Sequence, residues 1–474
     1  MIFGRWWKST GKVTDEPAGT DKPSDESVTS AAPPVPANAE APPSPVRQEE
    51  MEWVLPQPSP GVPASMQNFL LREPVLDRQH AVLGYDFAFR HVENESLSAA
   101  DRQLADETLI SALVQIDLHS FSGHRTTFIG LSATSLAGTW VNMLPCESVV
   151  LVIDVKGAEL DAEFADRCRH YIEQGYALAF DDLPDEADAQ ELQGLACYLR
   201  FNLHGWDAQV LSQRLASLRH LKNCPIIARD VGCEDDYLAA SKMGFDAFQG
   251  YYFAQKSPGL PNHIDANRLR VIELLNLTAQ HAEFAVLNDA IKHDVLLPYK
   301  LLAFINCPLN GLGRKIESIA QALMYLGYEP LYRWLTLLLF NDDDASSPRD
   351  RALLQHALVR ARLTETLGKQ LLSAQAADQL FIIGIFSLLD VLLNTTMAQA
   401  IERLNLTEDV TRALLQRHGP YAPFLRLAIA FEQADQQQIE QLSDSLGLDA
   451  RQLNQWHMDA INWASAIDTQ GTAD

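Results

Sequence analysis

Three absences narrow the possibilities before any motif is considered. The six cysteines, Cys146, Cys168, Cys197, Cys224, Cys233 and Cys307, are scattered, with no C-x-x-C pair. That pattern argues against a disulfide framework or a zinc ribbon and for reduced thiols packed in a core. Positive charge is scarce: 37 Lys and Arg face 62 Asp and Glu, a formal net charge of −25. Phosphate backbones reward clustered Lys and Arg, so no nucleic-acid partner is expected. Apolar runs are short. The longest, LTLLLF (335–340) and FIIGIFSLLDVLL (381–393), fall short of the roughly 18 residues of a spanning helix, so no integral membrane segment is expected. The opening MIFGRWWKSTGK lacks the apolar core of a signal peptide. Its aromatics among Arg5, Lys8 and Lys12 suit a disordered end or brief interfacial contact. A cytoplasmic location is the expectation.

What is present divides the chain into three parts. Residues 1–64 are dominated by Pro, Ala, Ser, Thr and acids. A stretch such as AAPPVPANAEAPPSP (31–45) cannot bury enough surface to offset its ordering entropy, so a disordered tail is expected. The apolar island MEWVLP (51–56) within it reads as a linker patch or a docking motif. Over 66–262, short β-rich runs alternate with helical stretches. VVLVIDV (149–155), ALAF (177–180), YLRFNL (198–203), PIIARDV (225–231) and FQGYYFA (248–254) alternate with segments such as LDAEFADRCRHYIEQG, whose apolar residues recur at i, i+3 and i+4. Such alternation predicts an α/β barrel with a mostly parallel sheet. Over 265–466 the strands stop and an all-α domain follows. In its segment 316–340, Ile316, Ile319, Ala320 and Leu323 are expected on one face, with Gly327 as a stop and Pro330 in the next first turn.

The chemistry concentrates at Asp181 and Asp182, in YALAFDDLP (176–184). Apolar residues at strand spacing lead into two adjacent carboxylates and a proline, which is how an α/β barrel presents acids at its C-terminal face. A hydrolytic Mg²⁺ or Mn²⁺ site needs about six oxygen ligands. The alternative reading is that one of the two acids caps the following helix.

The order REPVLDRQHAVLGYDFAFR (72–90), AFDDLP, LRFNL, ARDVG and FQGYYFA resembles the EAL family of cyclic di-GMP phosphodiesterases. IKHDVLLPYKLLAFIN (291–306), ALVRA (357–361) and FIIGIFSLLDVLL resemble the HDOD family. The composite is similar to a class of EAL–HDOD bacterial signalling proteins, and covers about 400 residues. The resemblance implies a TIM-like EAL barrel followed by an HDOD domain. It also implies ligand positions that this chain fills differently. The signature Glu-Ala-Leu falls on Asp86-Phe87-Ala88, the strand asparagine on Gly130, and the next glutamate on Val152, with Asp154 as the alternative carboxylate of that strand. Asp181 and Asp182 are kept. The water-activating lysine is Arg200, the aspartate after it Asn202, and two further glutamates fall on Arg229 and Gly232. Gln249, Gly250 and Tyr251 match. A guanidinium stays charged and cannot ligate a cation, so Arg229 would repel a divalent ion.

The resemblance therefore implies no catalytic residues, with Asp86, Asp181 and Asp182 as residual, weak ligands for Mg²⁺, Mn²⁺ or Ca²⁺, and no resident cofactor. Arg90, Arg200, Arg229 and Gln249 are the ligand-binding candidates, because arginine suits phosphate. Alternatively these arginines pair with neighbouring acids. In the helical half His293-Asp294 imitates a metal dyad, but the matching position of true HD hydrolases falls on Ser387-Leu388. His356 is expected to be packed or solvated. The expected function is a non-catalytic signalling adaptor, a pseudoenzyme acting through protein–protein contacts of the HDOD part, with cyclic di-GMP sensing and homodimer formation left open. Its competitor is a weakly active metal-dependent cyclic di-GMP phosphodiesterase.

Overall fold

The structure, a computed structural model, describes residues 70–89, 99–114, 116–185, 189–221, 223–256, 266–294, 296–306, 315–340 and 347–468. Eight strands close a barrel in sequence order: β1 (Leu70–Asp77), β2 (Val82–Phe89), β3 (Thr126–Ser132), β4 (Val149–Asp154), β5 (Ala177–Asp181), β6 (Tyr198–Asn202), β7 (Ile226–Arg229) and β8 (Ala247–Gln249). Strands β2 to β8 are parallel, whereas β1 runs antiparallel to both β2 and β8. The period of two along each strand sorts the side chains. Val75, Phe128, Val150, Val152, Ala179, Ile227 and Ala247 fill the barrel interior, with Ala177 and Tyr198 packed on them. Their sequence neighbours Leu151, Ile153, Leu178, Phe180, Leu199 and Phe201 face the surrounding helices. One further step along the same inward rows brings polar residues to the open end.

The run 248–254 is not one strand. β8 ends at Gln249, and Tyr252–Ala254 form a 3₁₀ turn. Gly250 makes the break, with φ +137°, and a Cβ there would lie 2.3 Å from the Val231 carbonyl oxygen, so the chain turns out of the sheet where only glycine fits. The expected face of 316–340 also needs one correction. The helix begins at Ile319 and buries Ile319, Ala322, Leu323 and Leu326, leaving Ala320 exposed. Cys197 is exposed rather than packed, and Cys146 and Cys233 are half-buried; Cys307 lies outside the described residues, as do the tail and its MEWVLP island.

Past residue 265 the described elements are helical. The long helix Pro348–Leu371 crosses Ala374–Phe386 so closely that a Cβ on Gly384 would lie 2.3 Å from Ala361 Cα. Among the described residues one helical stretch, Ala374–Leu392, is long and apolar enough to cross a membrane, and most of it is buried inside this bundle.

The barrel and the bundle share a polar interface. The Leu70 N–H donates to Asn454 Oδ1 at 3.0 Å, and Arg72 Nη1 donates to Ser465 Oγ at 2.8 Å. The Arg72 guanidinium lies 4.2 Å above the Tyr85 ring, whose hydroxyl donates to Gln355. Tyr251 donates to the Arg72 carbonyl at 2.7 Å, and its ring centroid lies 4.9 Å from that of His356. His457 is buried beside Phe431, its Nδ1 without a hydrogen-bond partner. Burial, then the charge of Arg72, lowers its pKa from the ordinary value to about 4. A base whose folded pKa is lowered contributes stability that is complete above about 6.5 and is lost as pH falls toward 4, because only the unfolded chain takes up the proton. Urea unfolding should therefore weaken across that window with one extra proton, about 1.4 kcal/mol per pH unit, in the wild type relative to His457→Gln. Parallel pH profiles for the two proteins would contradict this.

Candidate functional site at the barrel mouth

The inward rows of the strands end at one cluster. Asp86 on β2, Asp181 on β5 and Arg200 on β6 are buried, at 7, 8 and 2% exposure. Arg200 Nε donates to Asp181 Oδ1 at 2.7 Å, and its Nη2 reaches Asp181 Oδ2 at 3.4 Å. Its Nη1 lies 2.9 Å from Asp86 Oδ2, an ion pair too poorly aligned for a hydrogen bond. Arg229, at the end of β7, brings Nη1 to 2.7 Å from Asp181 Oδ2 and 3.7 Å from Asp182 Oδ2. Burial alone would lower the Arg229 pKa, but Asp181, Asp86, Asp182 and Asp230 together outweigh it and raise it above the ordinary arginine value. The two guanidinia are thus fixed cations between three carboxylates.

The loops above are held by side chains. Asp182 Oδ1 accepts from the Asn202 N–H at 2.9 Å and from Trp206 Nε1 at 2.8 Å. Asn202 Nδ2 donates to Asp230, and its Oδ1 accepts from the His204 and Gly205 amides. Asp182 and Asp230 have φ of 48° and 58°, in the left-handed region that non-glycine residues enter at a cost. Neither Asp181 nor Asp182 caps a helix: their oxygens are taken by arginines and by the loop after β6. Gln249 Nε2 donates to Glu73 Oε2 on β1 at 2.7 Å.

The structure brings together Asp86, Asp181, Asp182, Arg200 and Arg229, with Gln249 also on an inward row. Arg90 lies outside the described residues. Val152 is fully buried in the interior layer. A Cβ on Gly130 would meet nothing within 4 Å, so a side chain has room there. Asp154 ends β4 beside Asp181 in register and accepts from the Lys156 N–H at 2.9 Å. Among the described residues no group of three or more His, Cys, Asp or Glu has the arrangement of a metal site. Glu73, Trp206 and Asp230 were not anticipated. Glu73 was accessible from the sequence as an acid on the inward parity of Val75, two residues away.

In the bundle, His293 and Asp294 lie between the helices Phe284–Lys292 and Leu297–Ile305. His293 Nδ1 lies 2.6 Å from the Asp289 carbonyl oxygen, while Asp294 Oδ1 accepts from the Leu296 and Leu297 amides. Ser387 Oγ accepts from Arg360 Nη1 at 2.6 Å, and Arg360 also pairs with Glu432. His356 Nε2 lies 3.1 Å from Glu432 Oε2. His356 is therefore packed, at the interface with the barrel.

The described chain is thus a closed barrel of eight strands with an inverted first strand, followed by a helical bundle. Residues 265–418 match the HDOD domain family. The chain is 26% identical over 408 residues to the cyclic di-GMP phosphodiesterase CdgJ of Vibrio cholerae, covering 84% of this chain and 93% of that one. It is 25% identical over 407 residues to protein YuxH of Bacillus subtilis, covering 84% and 98%. Solved structures similar to it include an EAL domain protein from Listeria monocytogenes (14% identity, 40% of this chain and 87% of that chain, TM-score 0.33) and a PaMucR phosphodiesterase–c-di-GMP complex (19%, 41% and 98%, TM-score 0.34).

Removing Arg200 leaves Asp86 and Asp181 buried without their counter-charge, a change that typically costs about 3–5 kcal/mol. Arg200→Ala should lose stability of that order in urea unfolding. A loss below about 1 kcal/mol, the level of an exposed ion pair, would show that the cluster is not the buried lattice described.

Proposed function

We propose that the chain is a non-catalytic signalling adaptor whose EAL-type barrel is a pseudoenzyme. The observation that carries this reading is the placement of the Arg200 and Arg229 guanidinia among Asp86, Asp181 and Asp182. Both Asp181 oxygens are engaged by arginine, Asp86 Oδ2 pairs with Arg200, and Asp182 has Oδ1 on the Asn202 amide and Trp206 and Oδ2 near Arg229. A divalent cation would have to displace two fixed positive charges to reach them. The residues present do not fit Mg²⁺, Mn²⁺ or Ca²⁺, and no hydrolytic step is derived through one.

The same pairing bears on ligand binding. Arg200 and Arg229 are committed to neighbouring carboxylates, which favours their structural role over phosphate recognition at those two positions; Gln249 and Arg90 are the other candidates for contact with cyclic di-GMP. On this reading the HDOD domain supplies the contact with other signalling proteins. The competing reading, weak phosphodiesterase activity, is favoured by the relationship to CdgJ and by the survival of three carboxylates at the mouth.

Purified full-length chain incubated with cyclic di-GMP and Mg²⁺ or Mn²⁺ should release no linear dinucleotide above the buffer rate. Turnover that disappears in Asp181→Asn would overturn the adaptor reading. In a second measurement, Val152→Glu combined with Arg229→Glu should increase Mn²⁺ affinity in calorimetry, provided the variant keeps its circular dichroism. A folded variant with unchanged affinity would show that charge at the mouth is not what excludes the metal.

A further inference from the structure

Two cysteines stand side by side at the end of the barrel opposite the mouth. In the parallel pairing of β6 with β7, Leu199 is level with Ile226 and Arg200 with Ile227. The Leu199 N–H also donates to the Pro225 carbonyl at 3.2 Å. Cys197 and Cys224 lie just before these strands, and continuing the register two steps back sets them opposite each other, with Cys224 held in a turn by its N–H, which donates to the Leu221 carbonyl at 3.4 Å. Parity places both side chains on the same, outward side: Tyr198 and Ile227 pack in the interior, while Leu199 and Ile226 belong to the outer core. Residues level with each other on neighbouring strands have Cα atoms about 4.8 Å apart, inside the roughly 4.4–6.8 Å range of disulfides. Cys197 is fixed by its own N–H, which donates to the Leu178 carbonyl at 2.8 Å. The two thiols differ in access: Cys197 is exposed and Cys224 is buried, and both are free.

We propose that Cys197 and Cys224 are a redox-modification site that closes to a reversible disulfide on oxidation by a hydroperoxide. The exposed thiol meets the oxidant first. The Cys197 thiolate attacks one peroxide oxygen, the O–O bond breaks, and hydroxide leaves, giving a sulfenic acid. The Cys224 sulfur then attacks the Cys197 sulfur, the S–O bond breaks, and water leaves as the disulfide forms. Two thiols have lost two electrons and two protons, and hydrogen peroxide has become two waters. Burial, with the nearby Cys197 and Asp246, pushes the Cys224 thiol up to about 11, so it stays protonated and does not react first with oxidant; its proton leaves with the hydroxyl of the sulfenic acid as water when the two sulfurs join. The bond would tie together the starts of β6 and β7, the two strands that carry Arg200 and Arg229.

The test is to treat the full chain with hydrogen peroxide, block remaining thiols with N-ethylmaleimide, and map peptides without reduction. The expected result is a Cys197–Cys224 cross-linked peptide that dithiothreitol releases and that Cys197→Ser abolishes. In Cys224→Ala, Cys197 should instead accumulate a dimedone-trapped sulfenic acid. Full alkylation of both cysteines after oxidation, or Cys197 linked to a different cysteine, would overturn the proposal. The wild-type map decides this even if the Cys224 variant folds poorly.

Discussion

The Arg200 guanidinium, sealed beneath the barrel mouth, is the group on which the surrounding arrangement depends. It bridges Asp86 on β2 and Asp181 on β5 from its own position on β6, so three strands that are not all neighbours share one charge. Buried carboxylates at 7 and 8% exposure would be untenable without it, since isolated buried ions are far costlier than paired ones. Arg229 extends the lattice to β7 and to Asp182. Asp182 in turn fixes the loop after β6 through the Asn202 amide and Trp206. The left-handed backbone at Asp182 and Asp230 persists because their side chains are tied on both sides. Charge pairing thus propagates into loop geometry.

Strand β1 links this mouth to the helical half. Its period of two sends Glu73 inward to Gln249 and Arg72 outward to Ser465 and the Tyr85 ring. Just after β8, Tyr251 returns to the Arg72 carbonyl and packs its ring, tilted, against His356, which reaches Glu432. Burial alone would raise the Glu432 carboxyl, but Arg360 and His356 outweigh it and hold its pKa down at about 2. The line Gln249–Glu73–β1–Tyr251–His356–Glu432 is a continuous set of contacts from the mouth to the bundle.

Much of this was legible in the sequence, for reasons that differ by residue. The barrel strands announced themselves because Val150/Val152 and Ala177/Ala179 alternate with outward apolar residues, and Asp181 followed from the same parity. That Arg200 and Arg229 pair with neighbouring acids was one of the two options the sequence left open. Which acids, and through which oxygens, needed the closed barrel, because Asp86 and Arg200 are more than a hundred residues apart. The end of β8 at Gln249 was missed: apolar residues continue through Phe253, and the turn depends on a close approach of Gly250 to Val231 that no local pattern reveals. Cys197 read as core by composition, yet it lies at a strand entrance where the outward row reaches solvent.

A single substitution principle connects the two halves. At the barrel mouth, guanidinia occupy the space among carboxylates where the resemblance points to a cation. In the bundle, at the position resembling a metal dyad, Ser387 accepts from Arg360, which also holds Glu432. A guanidinium satisfies carboxylate oxygens bidentately, carries a permanent charge and, unlike a divalent ion, is covalently part of the chain. It therefore provides the electrostatic cohesion of a metal centre without its Lewis acidity or its bound water. Covalent attachment also fixes where that charge sits, so the strands carrying Arg200 and Arg229 and the helix carrying Arg360 set the geometry of the carboxylates around them.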